Sequence, residues 1–253
     1  MNQFQLWIFT TNWFNAFIFF LVMNVIIFII ALTGGNLLVK KFMINKVCKT
    51  PEGFSNSEVF LVFSTVLLNA LVTLAGWFLW KLNFIKLNPE INLMVFVDVC
   101  KLFFTMDFLM YVLHRIAHLK AFYWLLHKTH HSFVSCKPLT LFALNPLENL
   151  SFGLLWLLVL CLYSTSWIAI SIYLSLNVLF GVIGHLGVEF IPPKLANNPF
   201  LKYFTTSTFH AFHHQDINHN FGFYTTLWDK LFKSLSPVYF SYFGKIPPQN
   251  LKK

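Results

Sequence analysis

Long apolar runs separated by short polar stretches make up most of this chain. No charged side chain occurs before Lys40, and the run from Trp13 to Leu32 is long enough, as a helix, to cross a hydrocarbon core of ~30 Å. A second run, Val59 to Trp80, is bracketed by Glu58 and Lys81, and a third starts near Ile91 and leads into a histidine-rich stretch. Two more, Asn149 to Tyr163 and Trp167 to Gly184, are joined by "STS". The first of this pair is near the lower limit for a full crossing. The two are therefore expected to form a hairpin that enters and returns, with both outer ends on one side. The pattern predicts an all-α, polytopic membrane helical bundle of about four to five spanning or hairpin helices.

Composition sharpens this picture. With 57% apolar, 19% aromatic and 11% charged residues, the chain has too little charge to clothe a water-soluble globule of 253 residues. The first run lacks the basic start and the small-residue cleavage site of a signal peptide, so it reads as an uncleaved anchor. Lys40, Lys41, Lys46 and Lys49 crowd the loop after it, against Lys81 and Lys86 after the second run. The richer loop belongs in the cytosol, and alternation then puts every histidine cluster on the cytosolic side. The net charge of +9 is mostly this flanking lysine, which suits lipid headgroups and excludes nucleic acid as the expected partner. Cys48, Cys100, Cys136 and Cys161 contain no C-x-x-C pair, hence no sign of a disulfide framework or zinc knuckle. No repeat or flexible linker divides the chain. Residues 1–253 read as one membrane domain, with the tail after Pro237 expected to be loosely held.

All ten histidines fall between His114 and His219. His114 and His118 are four apart; His127, His130 and His131 follow a 0, 3, 4 pattern, and His210, His213 and His214 repeat it in "HAFHH". These separations bring imidazoles onto one helix face, where neighbours can bind one metal or an adjacent pair. On an unbroken helix turning about 100° per residue, the first pair would point near ~20° and the next three near ~215°, almost opposite each other. A break between Leu119 and Trp124 is therefore predicted, although no Pro or Gly marks it. Carboxylate-bridged di-iron bundles need Glu and E-x-x-H pairs, which the nine acidic residues here do not form. The ligand set is then nearly all imidazole, which suits Fe, Zn and Cu alike. Eight clustered histidines exceed what one ion takes, which argues for two metals.

The boxes "HRIAH", "HKTHH" and "HAFHH", in that order, resemble those of the fatty acid hydroxylase/sterol desaturase superfamily of membrane di-iron oxygenases. The resemblance covers roughly residues 95–235, the expected catalytic region. It extends to "DFLMYVLHR" before the first box, to "NPLEN", and to "NFG" followed by "LWDKLF". It implies a di-metal centre of two Fe ions at the cytosolic face that uses O2 to oxidise a lipid C–H bond; zinc in an isolated sample would not contradict it. Carried over box by box, the implied ligands are His114, His118, His127, His130, His131, His210, His213 and His214, with His185 of "GHLG" as an additional one. The chain departs from many relatives at Phe209, where a doubled histidine is common, and at Glu189, where some carry histidine. Glu189 is left as an oxygen ligand, an outer acceptor or a loop charge, and the role of His219 stays open.

Asp107 lies on one helix face with Tyr111 and His114, placed to accept an N–H from a ligating histidine and fix its tautomer. Asp98 and Lys101, three apart, are expected to pair. Arg115, the only arginine, suggests a planar fork on a carboxylate or carbonyl. Trp228 and Asp229 read as an interfacial anchor.

The expected function is a lipid hydroxylase or desaturase, acting on a sterol, fatty acyl chain or related lipid. No haem or flavin motif appears, so electrons should come from a separate reductase, ferredoxin or cytochrome. The alternatives from other classes are a histidine-lined metal transporter and a zinc-dependent membrane hydrolase.

Overall fold

The computed structural model describes residues 3–49, 53–88, 92–195 and 197–244. A short helix α1 (Gln3–Thr10) leads into α2 (Trp13–Lys41), whose N-cap Asn12 accepts from the Asn15 N–H. Helix α3 (Asn56–Lys81) starts at a capping box in which Ser55 and Glu58 each accept the other's backbone N–H. Then come α4 (Met94–Ala117), α5 (Lys120–Leu126) and α6 (Lys128–Ser132). Helix α7 (Pro146–Leu162) begins with a proline where a missing N–H costs nothing, and α8 (Trp167–Gly184) follows it. The C-terminal region carries α9 (Ser207–Gln215), α10 (Leu227–Leu231) and α11 (Tyr239–Tyr242). Strands β1 (Leu87–Asn88) and β2 (Thr165–Ser166) pair in parallel.

The five long helices pack in a closed ring, α2 against α3, α3 against α7, α7 against α4, α4 against α8, and α8 back against α2. Among the described residues α2, α3 and α8 are long and apolar enough to cross a membrane, and α7 is a shorter apolar helix. Outward side chains such as Ile30 and Phe63 are exposed, as a lipid-facing surface requires. The run that starts at Trp13 continues past Leu32 to Lys41 without a break at Gly34 and Gly35. Ile91, the expected start of the third run, lies outside the described residues.

One end of the ring is polar and carries the histidines. There the Val47 N–H donates to the Gly187 carbonyl (3.1 Å) and Lys137 Nζ pairs with buried Glu58 (2.7 Å). The start of α7 and the end of α8 both reach this end, through Glu148 and His185, as the hairpin reading required. The far end is closed by β1 and β2. Asp98 accepts the Ser166 N–H at 2.9 Å, and its ion pair with Lys101 spans a looser 3.9 Å. Also at that end Trp77 Nε1 donates to the Ile8 carbonyl (2.8 Å), which docks α1 on α3.

The chain after Pro237 is not loosely held over its described part. Tyr239 and Phe243 are buried against Phe209 and Phe212, so α11 props α9 from below. Residues 245–253 lie outside the described residues.

Gly35 lets α2 approach closely. A Cβ there would lie 2.7 Å from Pro138 Cβ and 3.2 Å from Val182 Cγ1, whereas one at Gly34 would meet nothing within 4 Å. Gly35→Ala should therefore lower stability by about 1–3 kcal/mol through overpacking. Gly34→Ala should be neutral or stabilising, by up to about 1 kcal/mol of helix propensity. Thermal unfolding of the two variants in detergent, side by side, checks this; equal midpoints would refute the close-approach role of Gly35.

Candidate metal centre

The chain turns where opposed histidine faces demand it. Helix α4 ends at Ala117 and α5 begins at Lys120, with Leu119 in an extended conformation (φ −63°, ψ 138°) between them. The turn falls at the leading edge of the predicted window. It needs neither Pro nor Gly, because the Leu119 carbonyl at once accepts the N–H groups of Phe122 (2.8 Å) and Tyr123 (2.9 Å). A second change of direction at His127 (φ −118°, ψ −16°) separates α5 from α6.

These turns, together with α8 and α9, bring nine imidazoles into two adjoining groups. His114, His118, His127, His131 and His213 form one; His130, His185, His210 and His214 form the other, each with its ligand atoms within 4.8 Å of one another. Each group can hold one metal ion. Within the first, Nε2 atoms approach at 2.9 Å (His114 and His127), 3.1 Å (His118 and His213) and 3.1 Å (His131 and His213). Within the second, His214 Nε2 lies 3.1 Å from that of His130 and 3.0 Å from that of His210, and His210 lies 3.2 Å from His185. Two nitrogens bound to one ion at about 2.1 Å, subtending 90–110°, would stand about 3.0–3.4 Å apart.

The rear nitrogens decide what these contacts are. His114 donates its Nδ1–H to the Phe221 carbonyl (2.9 Å), His213 to the His219 carbonyl (2.7 Å) and His185 to the Gly181 carbonyl (2.9 Å). His127 donates its Nδ1–H to Glu148 Oε1 (2.6 Å). With its proton at Nδ1, each of these rings presents a lone pair at Nε2. In His114 and His127 two such lone pairs face each other at 2.9 Å, an arrangement that repels unless a cation shares them. The donor set therefore fits a pair of metal ions.

Burial keeps the rings neutral. Desolvation first, and then the charge each ring would share with its neighbours, holds His130, His210, His213 and His214 well below the ordinary 6.5. His131 is lowered to about 3 for the same reasons. The protonated form of these rings is thereby disfavoured.

Three carboxylates shape the loops around the rings without touching them. Asp107 is fully buried and accepts from no histidine; it takes the backbone N–H groups of Tyr224 (3.0 Å) and Thr225 (3.1 Å), the Thr225 hydroxyl and Trp228 Nε1 (3.0 Å). The expectation that it fixes a histidine tautomer is thus corrected. Its side chain points across to the 224–228 segment rather than along its own helix toward His114. The anchor reading also fails for Asp229, while Trp228 is half-buried with its Nε1 on Asp107. Asp229 is fully buried and accepts the N–H groups of Phe221 (2.9 Å) and Gly222 (2.6 Å), which aims the Phe221 carbonyl at His114. Gly222 is required there, since a Cβ would collide with the Thr225 carbonyl and with Asp229 Oδ2. Glu189 is a buried acceptor for the Ile191 N–H (3.0 Å) and for the Thr208 hydroxyl (2.6 Å), so it holds the start of α9 and belongs to neither histidine group.

His219 stays outside both groups, its ring on Asp216 (2.8 Å), and contributes only its carbonyl. Arg115 donates to the Tyr111 hydroxyl (3.2 Å) and stacks over Phe221 (5.6 Å to the centroid), not on a carboxylate. Glu148 entered the sequence reading only within the "NPLEN" element and was given no role there. Its signal was present: it is the only charged side chain between Lys137 and Glu189. The carbonyl acceptors carried no signal, because a backbone carbonyl looks the same in every residue.

The fatty acid hydroxylase family profile matches residues 99–234, more than half of the chain. The chain belongs to this family. Among curated relatives, it is 31% identical over 162 residues to a Delta(7)-sterol 5(6)-desaturase of Eremothecium gossypii, covering 61% of this chain and 44% of that protein. It is 28% identical over 186 residues to the Saccharomyces cerevisiae enzyme of the same name, covering 69% and 47%. It is 30% identical over 122 residues to methylsterol monooxygenase 1 of Danio rerio, covering 48% and 41%. The chain thus spans about half the length of the curated relatives it matches or less. No solved structure matches. The family segment begins within α4 and ends just past α10, so it contains every histidine of both groups.

Asp107→Asn should cost about 1–3 kcal/mol, because an amide cannot satisfy all the donors that converge on this carboxylate. Metal per folded chain should be unchanged. Loss of metal at unchanged thermal stability of the metal-free protein would instead place Asp107 in contact with a ligand.

Proposed function

We propose that the chain is a membrane-bound di-iron oxidoreductase that uses O2 to hydroxylate or desaturate a lipid, with a sterol as the substrate class suggested by the names of its relatives. The observation that carries this reading is the pairing of two all-imidazole groups, side by side, in a chain of this family. Two iron ions held there would supply O2 activation and the oxidising power to remove hydrogen from an unactivated C–H bond.

The chain's own part is to hold and enclose. His114, His118, His127, His131 and His213 would bind one ion, and His130, His185, His210 and His214 the other. The pinned Nδ1–H groups keep the ring planes fixed, so little reorganisation is needed when metal binds. Burial of nearly every ring excludes water from the place where a reactive species would otherwise be quenched. Asp107 and Glu189 are positioning groups in this reading, acting through the loop that supplies the Phe221 carbonyl and through the start of α9.

The site lies at the ring end that also carries Lys46 and follows Lys40 and Lys41, which supports a cytosolic position. A separate reductase, ferredoxin or cytochrome would deliver electrons there. The nine rings gathered at the helix ends, rather than ligands strung along a path through the bundle, favour an enzyme over a metal transporter.

Lipids from cells with and without the protein test the reading. The expected product is heavier by one oxygen or lighter by two hydrogens, and it should vanish in His130→Ala and in His213→Ala. Full activity in either variant, or stoichiometric zinc in active protein, would overturn the di-iron assignment; the zinc result would favour a hydrolase.

A further inference from the structure

Glu148 stands apart from every other buried carboxylate of the site. Asp107, Asp229 and Glu189 each collect several donors from loops and side chains, as a buried charge needs. Glu148 is 4% exposed, yet its Oε1 meets only the His127 ring and its Oε2 has no hydrogen-bond partner. A carboxylate in the first turn of α7 gains about 0.3–1 kcal/mol from the helix dipole, less than the cost of about 1–3 kcal/mol for a buried oxygen without a donor. Its one side-chain partner, the His127 imidazole, is where its effect falls.

The other rear contacts sharpen the contrast. His114, His185 and His213 rest on neutral backbone carbonyls, while the Nδ1 atoms of His118, His130, His131 and His214 have no protein partner. Thus, among the nine rings, only His127 is backed by a carboxylate, and that ring belongs to the five-histidine group. A carboxylate behind an imidazole fixes its tautomer and makes Nε2 a stronger donor. With a cation on Nε2, it also sets one negative charge against a cluster of otherwise neutral ligands.

We propose that Glu148 is a positioning residue that acts through His127 to make the five-histidine group the tighter of the two metal positions. The inference rests on the di-metal reading above. The four-histidine group, with no carboxylate behind any ring, is then the position that exchanges its ion first.

The test uses the full-length protein in detergent, loaded with ferrous iron or with cobalt(II), and challenged with increasing chelator. Wild-type protein should release its two ions in separate steps. Glu148→Gln, which keeps the shape and an acceptor oxygen but removes the charge, should weaken the tighter step by about 10–100-fold and leave the weaker step in place. The cobalt absorption bands of the tightly held ion should shift in the same variant. The metal-free Glu148→Gln protein should unfold at or above the wild-type temperature, because the variant removes a buried, singly paired carboxylate.

An unchanged release curve and unchanged bands in Glu148→Gln would overturn the proposal, as would a metal-free variant that unfolds well below wild type. Wild-type protein that holds no metal pair would instead overturn the di-metal reading itself. Glu148→Asp retains the charge on a side chain one methylene shorter, so partial recovery of the tight step would separate charge from simple shape.

Discussion

Nine imidazoles crowd into two adjoining groups, with at least two Nε2 lone pairs facing each other, and the whole histidine end of the protein is organised to hold them there. An imidazole offers its Nε2 inward only if the proton sits on Nδ1, and in a buried site that proton favours a ring with an acceptor behind it. The Phe221, His219 and Gly181 carbonyls and the Glu148 carboxylate are those acceptors. The geometry of the cluster is therefore decided as much behind the rings as in front of them.

That requirement explains features that have no direct chemistry. The segment from Phe221 to Trp228 must present one carbonyl at one angle, and Asp229 and Asp107 hold it by its backbone N–H groups. Gly222 leaves room for the tight turn between them. Glu189 fixes the start of α9, and α11 packs beneath it, so His210, His213 and His214 arrive in register with the rings of α6. The ring of five long helices supplies the frame, with the ends of α4 and α8 and the start of α7 all delivering a site residue to one face.

Much of this was legible in the residues. The apolar runs marked the long helices because backbone groups in lipid must be satisfied within the helix, which leaves length and hydropathy as sufficient signs. The 0, 3, 4 spacings marked which histidines gather at one end, because helical geometry converts spacing into direction, although each triplet divides between the two groups. The opposed directions of "HRIAH" and "HKTHH" even forced a turn near Leu119, and it is there. Where the reading failed, it assigned buried carboxylates by their neighbours in sequence. Asp107 shares a helix face with His114 yet bonds to residues more than a hundred positions away.

The sequence by itself therefore determined the long helices, the clustering of the histidines and the need for a bend, since each follows from local periodicity. Only the tertiary structure decided which rings fall in one group, which acceptors stand behind His114, His127, His185 and His213, and that Glu148 rather than Asp107 is the carboxylate in contact with a ring. The reason is physical. Which side chains meet across the bundle depends on how α4, α7, α8 and the loop after α9 pack together, and no spacing along one helix encodes that.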